Sequence, residues 1–93
     1  MADSSIISRH MSSVGTSSST LVDFGTGVQK VYITCFTNDV KIEFNGSANT
    51  DSFRLSSGQP TVVGFEFTGS AIRTVSLLGV GGASDVYVMG YVT

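Results

Sequence analysis

Residues 28–55, VQKVYITCFTNDVKIEFNGSANTDSFRL, decide the fold that the sequence predicts. Apolar and polar residues alternate as VKIEF at 40–44. This period of two is typical of a β-strand with one buried face. Thr-Asn-Asp at 37–39 has the composition of a turn. Asn-Gly at 45–46 suits a tight hairpin, or a longer loop if the polar residues that follow belong to it. The stretch therefore predicts three strands with two short connections.

The same alternation recurs outside this stretch and predicts further strands. All predicted strands together cover residues 21–24, 28–36, 40–44, 51–55, 61–67, 71–78 and 84–92. Segments rich in glycine, serine or asparagine, and the single proline, separate them. About seven short strands without a helical stripe predict an all-β chain, a single antiparallel β-sandwich of the jelly-roll or Ig-like kind. A small β-barrel is the alternative, because closure of a sheet also removes its exposed edges.

Some positions in these strands carry more specific expectations. The strand over 28–36 is largely apolar on both faces, which indicates a central strand or one whose outer face meets a partner. Gly64 predicts a bulge or a close approach of another stretch of backbone. In the last strand Val86 and Val88 alternate with Tyr87, so the valines are expected to share one face and the tyrosine the other.

Residues 1–19 differ from the rest of the chain. They are rich in serine, and Ile6-Ile7 stands out among them as an apolar pair. This composition predicts a flexible N-terminal arm, followed by a β-sandwich domain over residues 20–93. The arm is either a solvated tail or a segment that becomes ordered on a neighbouring subunit, with Ile6, Ile7 and Met11 as anchors.

The composition indicates a surface that another protein covers. The chain has 93 residues, the length of one domain. Only 13% of them are charged, half of the usual share of about 25%. Lysine and glutamate are depleted at protein interfaces, and small hydroxyl-bearing residues take their place here. We therefore expect an oligomer or a larger assembly.

Charge and cysteine content exclude several functions. The formal net charge is −2 and the pI is near 4.9, whereas a nucleic-acid-binding protein needs a basic patch. The single cysteine, Cys35, excludes an internal disulfide. The first residues do not resemble a signal peptide, and no apolar run approaches the ~20 residues that span a bilayer. We expect a protein made in a cytosol that contacts neither nucleic acid nor membrane.

No catalytic constellation is expected. His10, the only histidine, lies in the predicted arm, and a mobile segment cannot hold a base against a nucleophile. Cys35 lies within a strand without a basic neighbour, which indicates a buried and unreactive thiol. One cysteine and one histidine are too few for a zinc site. Calcium binding by aspartates of the predicted loops stays an alternative, although the sequence contains no EF-hand motif. The prediction is no enzyme, no small-molecule substrate, no metal and no cofactor.

The tyrosines are the main candidates for contacts with a partner. All three lie in predicted strands, where aromatic side chains most often pack in a core or at an interface. A sugar-binding platform is the alternative role for them. Together with residues of the arm, the candidate partner-binding residues are Ile6, Ile7, Arg9, Met11, Tyr32, Tyr87 and Tyr91.

Four segments together resemble a class of virion proteins. They are VKIEFNGSA at 40–48, FRLSSGQP at 53–60, IRTVSLLG at 72–79 and GASDVYVMGY at 82–91. In pattern and composition, residues 20–93 resemble the small all-β structural proteins of tailed bacteriophages. The resemblance is greatest to capsid decoration (cement) and auxiliary proteins, and it includes no diagnostic motif.

This resemblance implies a non-enzymatic virion component. Such proteins commonly form trimers over three-fold positions of a capsid, often with an N-terminal arm on the capsid subunits. The implied partners are the major capsid protein and further copies of the chain. The implied location is the capsid surface, after synthesis in the host cytoplasm. No site residues carry over, because the family has no fixed site motif. The alternatives are a head–tail connector, a tail or fibre component, and a carbohydrate-binding β-sandwich.

Overall fold

The part of the chain that the structure describes forms eight β-strands. A computed structural model describes residues 5–57, 63–68 and 72–92, and none of these residues is helical. The strands are β1 (Ser5–Val14), β2 (Thr20–Val28), β3 (Lys30–Phe36), β4 (Asp39–Phe44), β5 (Phe53–Leu55), β6 (Val63–Glu66), β7 (Ile72–Val80) and β8 (Ser84–Val92). This part of the chain accordingly contains no helix that could span a membrane.

The strands form two antiparallel sheets of four. Sheet A has the order β1-β8-β3-β6, and sheet B has the order β2-β7-β4-β5. Every connection crosses between the sheets except the one from β4 to β5, which are neighbours in sheet B. This is the strand order of a jelly roll. The predicted antiparallel sandwich is confirmed, and the order selects the jelly roll over the Ig-like arrangement and the closed barrel.

The jelly roll is one long hairpin wrapped around itself. In four strand pairs, the sequence position midway between two paired residues lies close to residue 48. The pairs are Ile6–Tyr91, Val22–Val75, Ile33–Val63 and Val40–Leu55. The first and last strands therefore meet as the β1–β8 pair, at the open end of the hairpin.

The structure contradicts the prediction of a flexible arm. Ser5–Val14 form β1, an edge strand paired with β8. Ile7 and Met11 pack partly buried against the core, and Val14 is fully buried. Sequence reasoning missed the strand because Arg9 interrupts its inward apolar alternation, opposite a buried valine of β8. With β1, the described residues contain eight strands, whereas about seven were predicted.

The remaining strands lie near their predicted positions, with shifted ends. The strand predicted over 28–36 divides at Gln29, so that its first residue ends β2 in sheet B and the rest forms β3 in sheet A. Asn45 has a φ of 56° and opens a loop over residues 45–52, which is the longer of the two connections considered. Residues 58–60 of the break that the sequence predicts at 56–60, and the turn predicted at 69–70, lie outside the described residues.

The core between the sheets is mainly aliphatic. Within the described residues, the buried cluster consists of Val14, Val22, Phe24, Val28, Val31, Ile33, Cys35, Val40, Ile42, Leu55, Ile72, Val75, Leu77, Val86 and Val88. In β3, β4 and β8 these residues occupy alternate positions, as the period of two predicts. Valine and isoleucine predominate, and their branched side chains suit the pleated inner faces of two sheets.

The two sides of the sandwich differ in the length of their edge strands. β5 and β6 have three and four residues, and they meet where Phe53 and Phe65 make an edge-to-face contact at 6.0 Å. Phe44 contacts Phe65 and Phe67 at 5.1 and 5.0 Å. β1 and β2 have ten and nine residues and contact each other at the opposite side. The long edges therefore lie together.

Gly79 fixes the end of β1 against sheet B. Its N–H donates a hydrogen bond to the Gly15 carbonyl at 2.8 Å. A Cβ atom at position 79 would lie 2.7 Å from the Val14 carbonyl oxygen and 2.8 Å from that of Gly82. No other residue type fits there without a shift of the backbone.

Candidate binding face and strand edges

The outer face of sheet A carries the tyrosines that the sequence predicts as contact residues. Tyr87, Met89 and Tyr91 alternate with the buried valines of β8 and therefore point away from the core. The strand register places His10 and Thr34 on either side of Tyr87. The neighbouring rows are Ser8–Met89–Tyr32 and Ile6–Tyr91–Lys30. Aromatic rings, hydroxyl groups and a few charges thus share one open face.

His10 is held by two contacts with β8. Its Nε2 atom lies 2.5 Å from Asp85 Oδ1. Its ring stacks on Tyr87, with ring centroids 4.1 Å apart and an interplanar angle of 3°. Phe36 packs edge-to-face against the same tyrosine at 5.9 Å. The expectation that His10 belongs to a mobile segment is therefore wrong, because cross-strand contacts fix its ring.

A groove of about 430 Å³ opens on this face. It is lined by Ser8, Arg9, His10, Tyr32, Thr34, Tyr87, Val88 and Met89. Most of its surface is apolar, although six of these eight residues carry a polar side-chain group. A mostly apolar pocket with a few polar groups is the usual form of a small-ligand site.

Gly64 provides the space in which Tyr32 lies. The two residues are cross-strand neighbours in β6 and β3. A Cβ atom at position 64 would lie 2.8 Å from Cε1 and 3.1 Å from Cδ1 of the tyrosine ring. The group that approaches Gly64 closely is therefore the Tyr32 side chain, one wall of the groove, and not a stretch of backbone as the sequence predicted.

Thr34 has a hydroxyl group without a partner. Its Oγ1 atom is buried and makes no hydrogen bond with any other described residue. Thr34 lines the groove beside Tyr32 on its own strand and Tyr87 on β8. Leaving a buried hydroxyl unpaired costs about 1–3 kcal/mol, so such a group in a folded protein points to strain or to a missing partner.

The other charged groups of this face are paired within it. Lys30 Nζ lies 3.2 Å from Glu66 Oε1 and 5.9 Å from the ring centroid of Tyr91. The hydrogen bond from Lys30 to Glu66, and the negative charge of Glu66, raise the pKa of Lys30. Together with the contact between His10 and Asp85, this pairing leaves few isolated charges on the face.

The outer face of sheet B has a different character. Its strands carry the charged residues Asp23, Asp39, Lys41, Glu43, Arg54 and Arg73. The loop over 45–52 folds onto it, because the N–H of Ala48 donates to Ser76 Oγ at 2.9 Å. In the same loop, the Ser52 hydroxyl donates to Glu43 Oε1 at 2.9 Å. The chain's own loop therefore covers part of sheet B, whereas the described residues leave sheet A open.

The structure places the contact residues predicted from the sequence in different parts of the molecule. Those on the outer face of sheet A are Ile6, Tyr32, Tyr87 and Tyr91. Arg9 is exposed and lines the groove. Ile7 and Met11 pack against the core instead, so they are not free to anchor an arm on a neighbour.

Sequence reasoning did not select five residues that line the groove, Ser8, His10, Thr34, Val88 and Met89, nor Asp85, the partner of His10. His10 and Asp85 are 75 positions apart, so no local pattern connects them. Thr34 gave a weak signal, since it lies two residues from Tyr32 and so shares a strand face with it. Its missing hydrogen bond is a property of the packed sheet alone.

The contact between His10 and Asp85 resembles two members of a catalytic triad. A triad also needs a nucleophile within hydrogen-bond reach of the histidine. Among the described residues, the His10 ring makes its hydrogen bond with Asp85, which is not a nucleophile of this kind. The Cys35 thiol lies in the core, where burial raises its pKa. The same part of the chain holds no cluster of three or more metal-binding side chains.

The edges of β1 and β2 are the second exposed feature of the molecule. In the described structure, β1 pairs with β8 alone and β2 with β7 alone. Ile6 on β1 and Leu21 on β2 are each 58% exposed. Arg9 and Asp23 are the formally charged residues of these two strands. Both edges thus combine unpaired backbone groups with exposed apolar side chains and little charge.

Comparisons of the chain with protein-family models, with curated proteins and with solved structures gave no match. The groove on sheet A and the two long strand edges are therefore the features from which a function is inferred.

Proposed function

We propose that the chain is a non-enzymatic structural subunit that joins other protein subunits along the side formed by β1 and β2. The observation that carries this proposal is the pair of long edges at that side, ten and nine residues in length. An edge strand offers unpaired N–H and C=O groups to any further strand, so proteins usually shorten, charge or cover such edges. Among the described residues, β5 and β6 are short. A partner subunit is the cover that we propose for β1 and β2.

The side chains of β1 and β2 favour a protein as that cover. Full burial of an aliphatic side chain such as Ile6 or Leu21 stabilises a complex by about 1.5–3 kcal/mol. Neither strand contains a lysine, the residue that most often prevents pairing at an edge. Arg9 takes an inward-facing position in the register, which hinders pairing with arbitrary strands. The edge therefore suits one matched partner.

In its most specific form, the proposed assembly is the capsid of a tailed bacteriophage. The chain would decorate the capsid surface as a cement protein, with the major capsid protein and two further copies of itself as partners. The sequence resemblance to small virion proteins supports this form. The jelly roll is compatible with it, although lectins and cupins use the same fold. A protein that binds the assembled shell and not its separate subunits stabilises the shell by mass action.

Lysine substitutions at the edges test the docking surface. Ile6→Lys and Leu21→Lys place a charge on β1 or β2, and we expect each to shift the chain from an oligomer to a monomer in size-exclusion chromatography with light scattering. Phe53→Lys is the matched control, because Phe53 is 61% exposed on β5 at the opposite side. The control should keep the wild-type oligomer. Oligomers that all three variants retain would contradict docking through these edges.

The location in a virion is tested separately. Mass spectrometry of purified particles should find many copies of the chain on each capsid, and particles without it should dissociate at lower temperature. Only a few copies for each particle would indicate the connector, tail or fibre alternatives. Absence from the particles would reject the virion role while leaving the edge result unaffected.

A further inference from the structure

We propose that the groove on the outer face of sheet A binds a neutral saccharide. This inference does not rest on the proposed docking function, because the groove lies on a sheet face and the docking surface lies along the strand edges. The groove residues come from β1, β3 and β8, three neighbouring strands of one sheet. Rigid strands hold the side chains of a binding site in place better than loops do.

The size of the groove favours a small ligand. Its volume of about 430 Å³ falls in the range of roughly 300–1,000 Å³ that small-molecule sites occupy. A stable protein interface instead buries about 800 Å² on each partner and is much flatter. The groove therefore fits a few sugar units better than it fits the surface of a protein subunit.

The walls of the groove are suited to the C–H faces of sugar rings. Tyr87 is fixed between its stacking contact with His10 and its edge-to-face contact with Phe36. Tyr32 lies over Gly64, where no side chain competes for space. Aromatic rings that are held in place before binding lose little conformational entropy when a flat apolar ligand surface packs on them.

The charges of the face favour a neutral ligand. The carboxylate of Asp85 is already in contact with His10, and that of Glu66 with Lys30. Arg9 is the cation that lines the groove, and its Nη1 donates to the carbonyl of the preceding residue. A nucleotide could also stack on tyrosine, but its phosphate needs a cluster of free cations. The described residues of the groove contain no such cluster.

The unpartnered hydroxyl of Thr34 is the second and independent observation. Its Oγ1 lies beside the two tyrosines without a hydrogen bond. In the free protein this Oγ1 atom is shielded from water. Tyr32 and Tyr87, which line the same groove, each carry a further hydroxyl group. A polyhydroxylated ligand can supply partners to all three groups, whereas a hydrocarbon cannot.

The experiment titrates the full chain with defined ligands and follows amide and tyrosine ring resonances by NMR. The probes are maltotetraose, cellotetraose, mannotriose and chitotetraose, with 3′-sialyllactose as an acidic sugar and a decaproline peptide as an apolar competitor. We expect at least one neutral oligosaccharide to shift resonances of β1, β3 and β8 at the outer face. The acidic sugar and the peptide should leave these resonances unchanged.

Three variants locate the site. Tyr87→Ala should weaken binding of that saccharide about tenfold or more, the effect of losing one stacking contact. Thr34→Val keeps the shape of the side chain and should weaken binding several-fold without lowering the melting temperature, because the lost hydroxyl has no partner in the free protein. Phe53→Ala removes an aromatic ring of similar exposure from the other side of the molecule and should leave the affinity unchanged.

Several results would overturn the proposal. The absence of shifts with every neutral oligosaccharide at millimolar concentration would do so, as would binding of decaproline in their place. Equal affinities of the wild type, Tyr87→Ala and Thr34→Val would also reject it. If Tyr87→Ala fails to fold, Thr34→Val decides alone, since a normal melting temperature with wild-type affinity removes the evidence from Thr34.

Discussion

Asp39 shows how one residue can link several parts of the sandwich. Its Oδ1 atom accepts a hydrogen bond from the backbone N–H of Ser57 at 2.8 Å, and its Oδ2 atom lies 2.7 Å from Arg54 Nη2. These contacts join the start of β4 to the end of β5 and the residues after it. The backbone N–H of Ser57, followed by Arg54, lowers the pKa of Asp39.

This lowered pKa predicts a loss of stability in acid. The folded state binds the Asp39 proton less readily than the unfolded state, so the contribution is complete above the ordinary pKa of about 3.9. It is lost as the pH falls through the lower pKa of the folded protein. Urea unfolding at pH 5 and pH 3 should show a smaller decrease in stability for Asp39→Asn than for the wild type. Equal decreases would contradict the role given to Asp39.

Single residues also show why the core was predictable and the groove was not. Val31, Ile33 and Cys35 are buried as the alternation predicts, because residues two apart in a strand share a face. The same rule places Tyr32 and Thr34 on the other face of β3, but it does not indicate that their neighbours form a groove. That depends on His10 and the residues of β8, which lie far away in the sequence.

β1 is the element on which both proposals depend. It is an edge strand, it contributes His10 to the outer face of sheet A, and it packs Ile7 and Met11 against the core. A strand with this sequence is hard to recognise, since serines and Arg9 reduce its hydrophobic signal. Pairing with β8 along its length supplies the stability that its own composition lacks.

The end of β1 gives a prediction at the scale of elements. Gly79→Ala should destabilise the protein by about 2 kcal/mol, because the new methyl group meets the carbonyl oxygens of Val14 and Gly82 in a packed region. Gly15→Ala is the matched control, since a Cβ atom there meets no atom within 4 Å. Thermal unfolding should show a lower melting temperature for Gly79→Ala only. Equal melting temperatures would show that the backbone yields at no cost.

At the scale of the whole molecule, the wrapped hairpin brings the two ends of the chain together. β1 pairs with β8, although one is at the start of the sequence and the other at the end. The accessible surface of 5069 Å² is close to the value of about 5,100 Å² expected for a compact monomer of this mass. The chain therefore buries about as much of its own surface as a compact monomer of this mass does, and we expect the lysine variants of the edges to remain folded.

This closure predicts the effect of truncation. A chain of residues 16–93 lacks β1, so the core loses Val14 and β8 loses the edge strand that pairs with it. Because a domain of this size is stable by only about 5–15 kcal/mol, we expect the truncated chain to be largely unfolded at 37 °C by circular dichroism. The full-length chain is the control. Cooperative unfolding of residues 16–93 at the full-length melting temperature would show that β1 is dispensable.

The sequence by itself determined that the chain is an antiparallel β-sandwich, where most strands run, and which of their side chains are buried. These properties follow from the alternation of apolar and polar residues, a short-range pattern that each strand carries alone. The low charge also indicated a surface made for contact. None of these inferences needed knowledge of which strands are neighbours.

Only the tertiary structure decided the strand order, the place of β1 and the make-up of the groove. Strand pairing is settled by the simultaneous packing of all faces, so the contact between His10 and Asp85, 75 positions apart, has no local signature. The free hydroxyl of Thr34 and the long edges of β1 and β2 likewise exist only once the hairpin has wrapped. The features from which function is inferred are therefore those that depend on distant parts of the chain meeting in space.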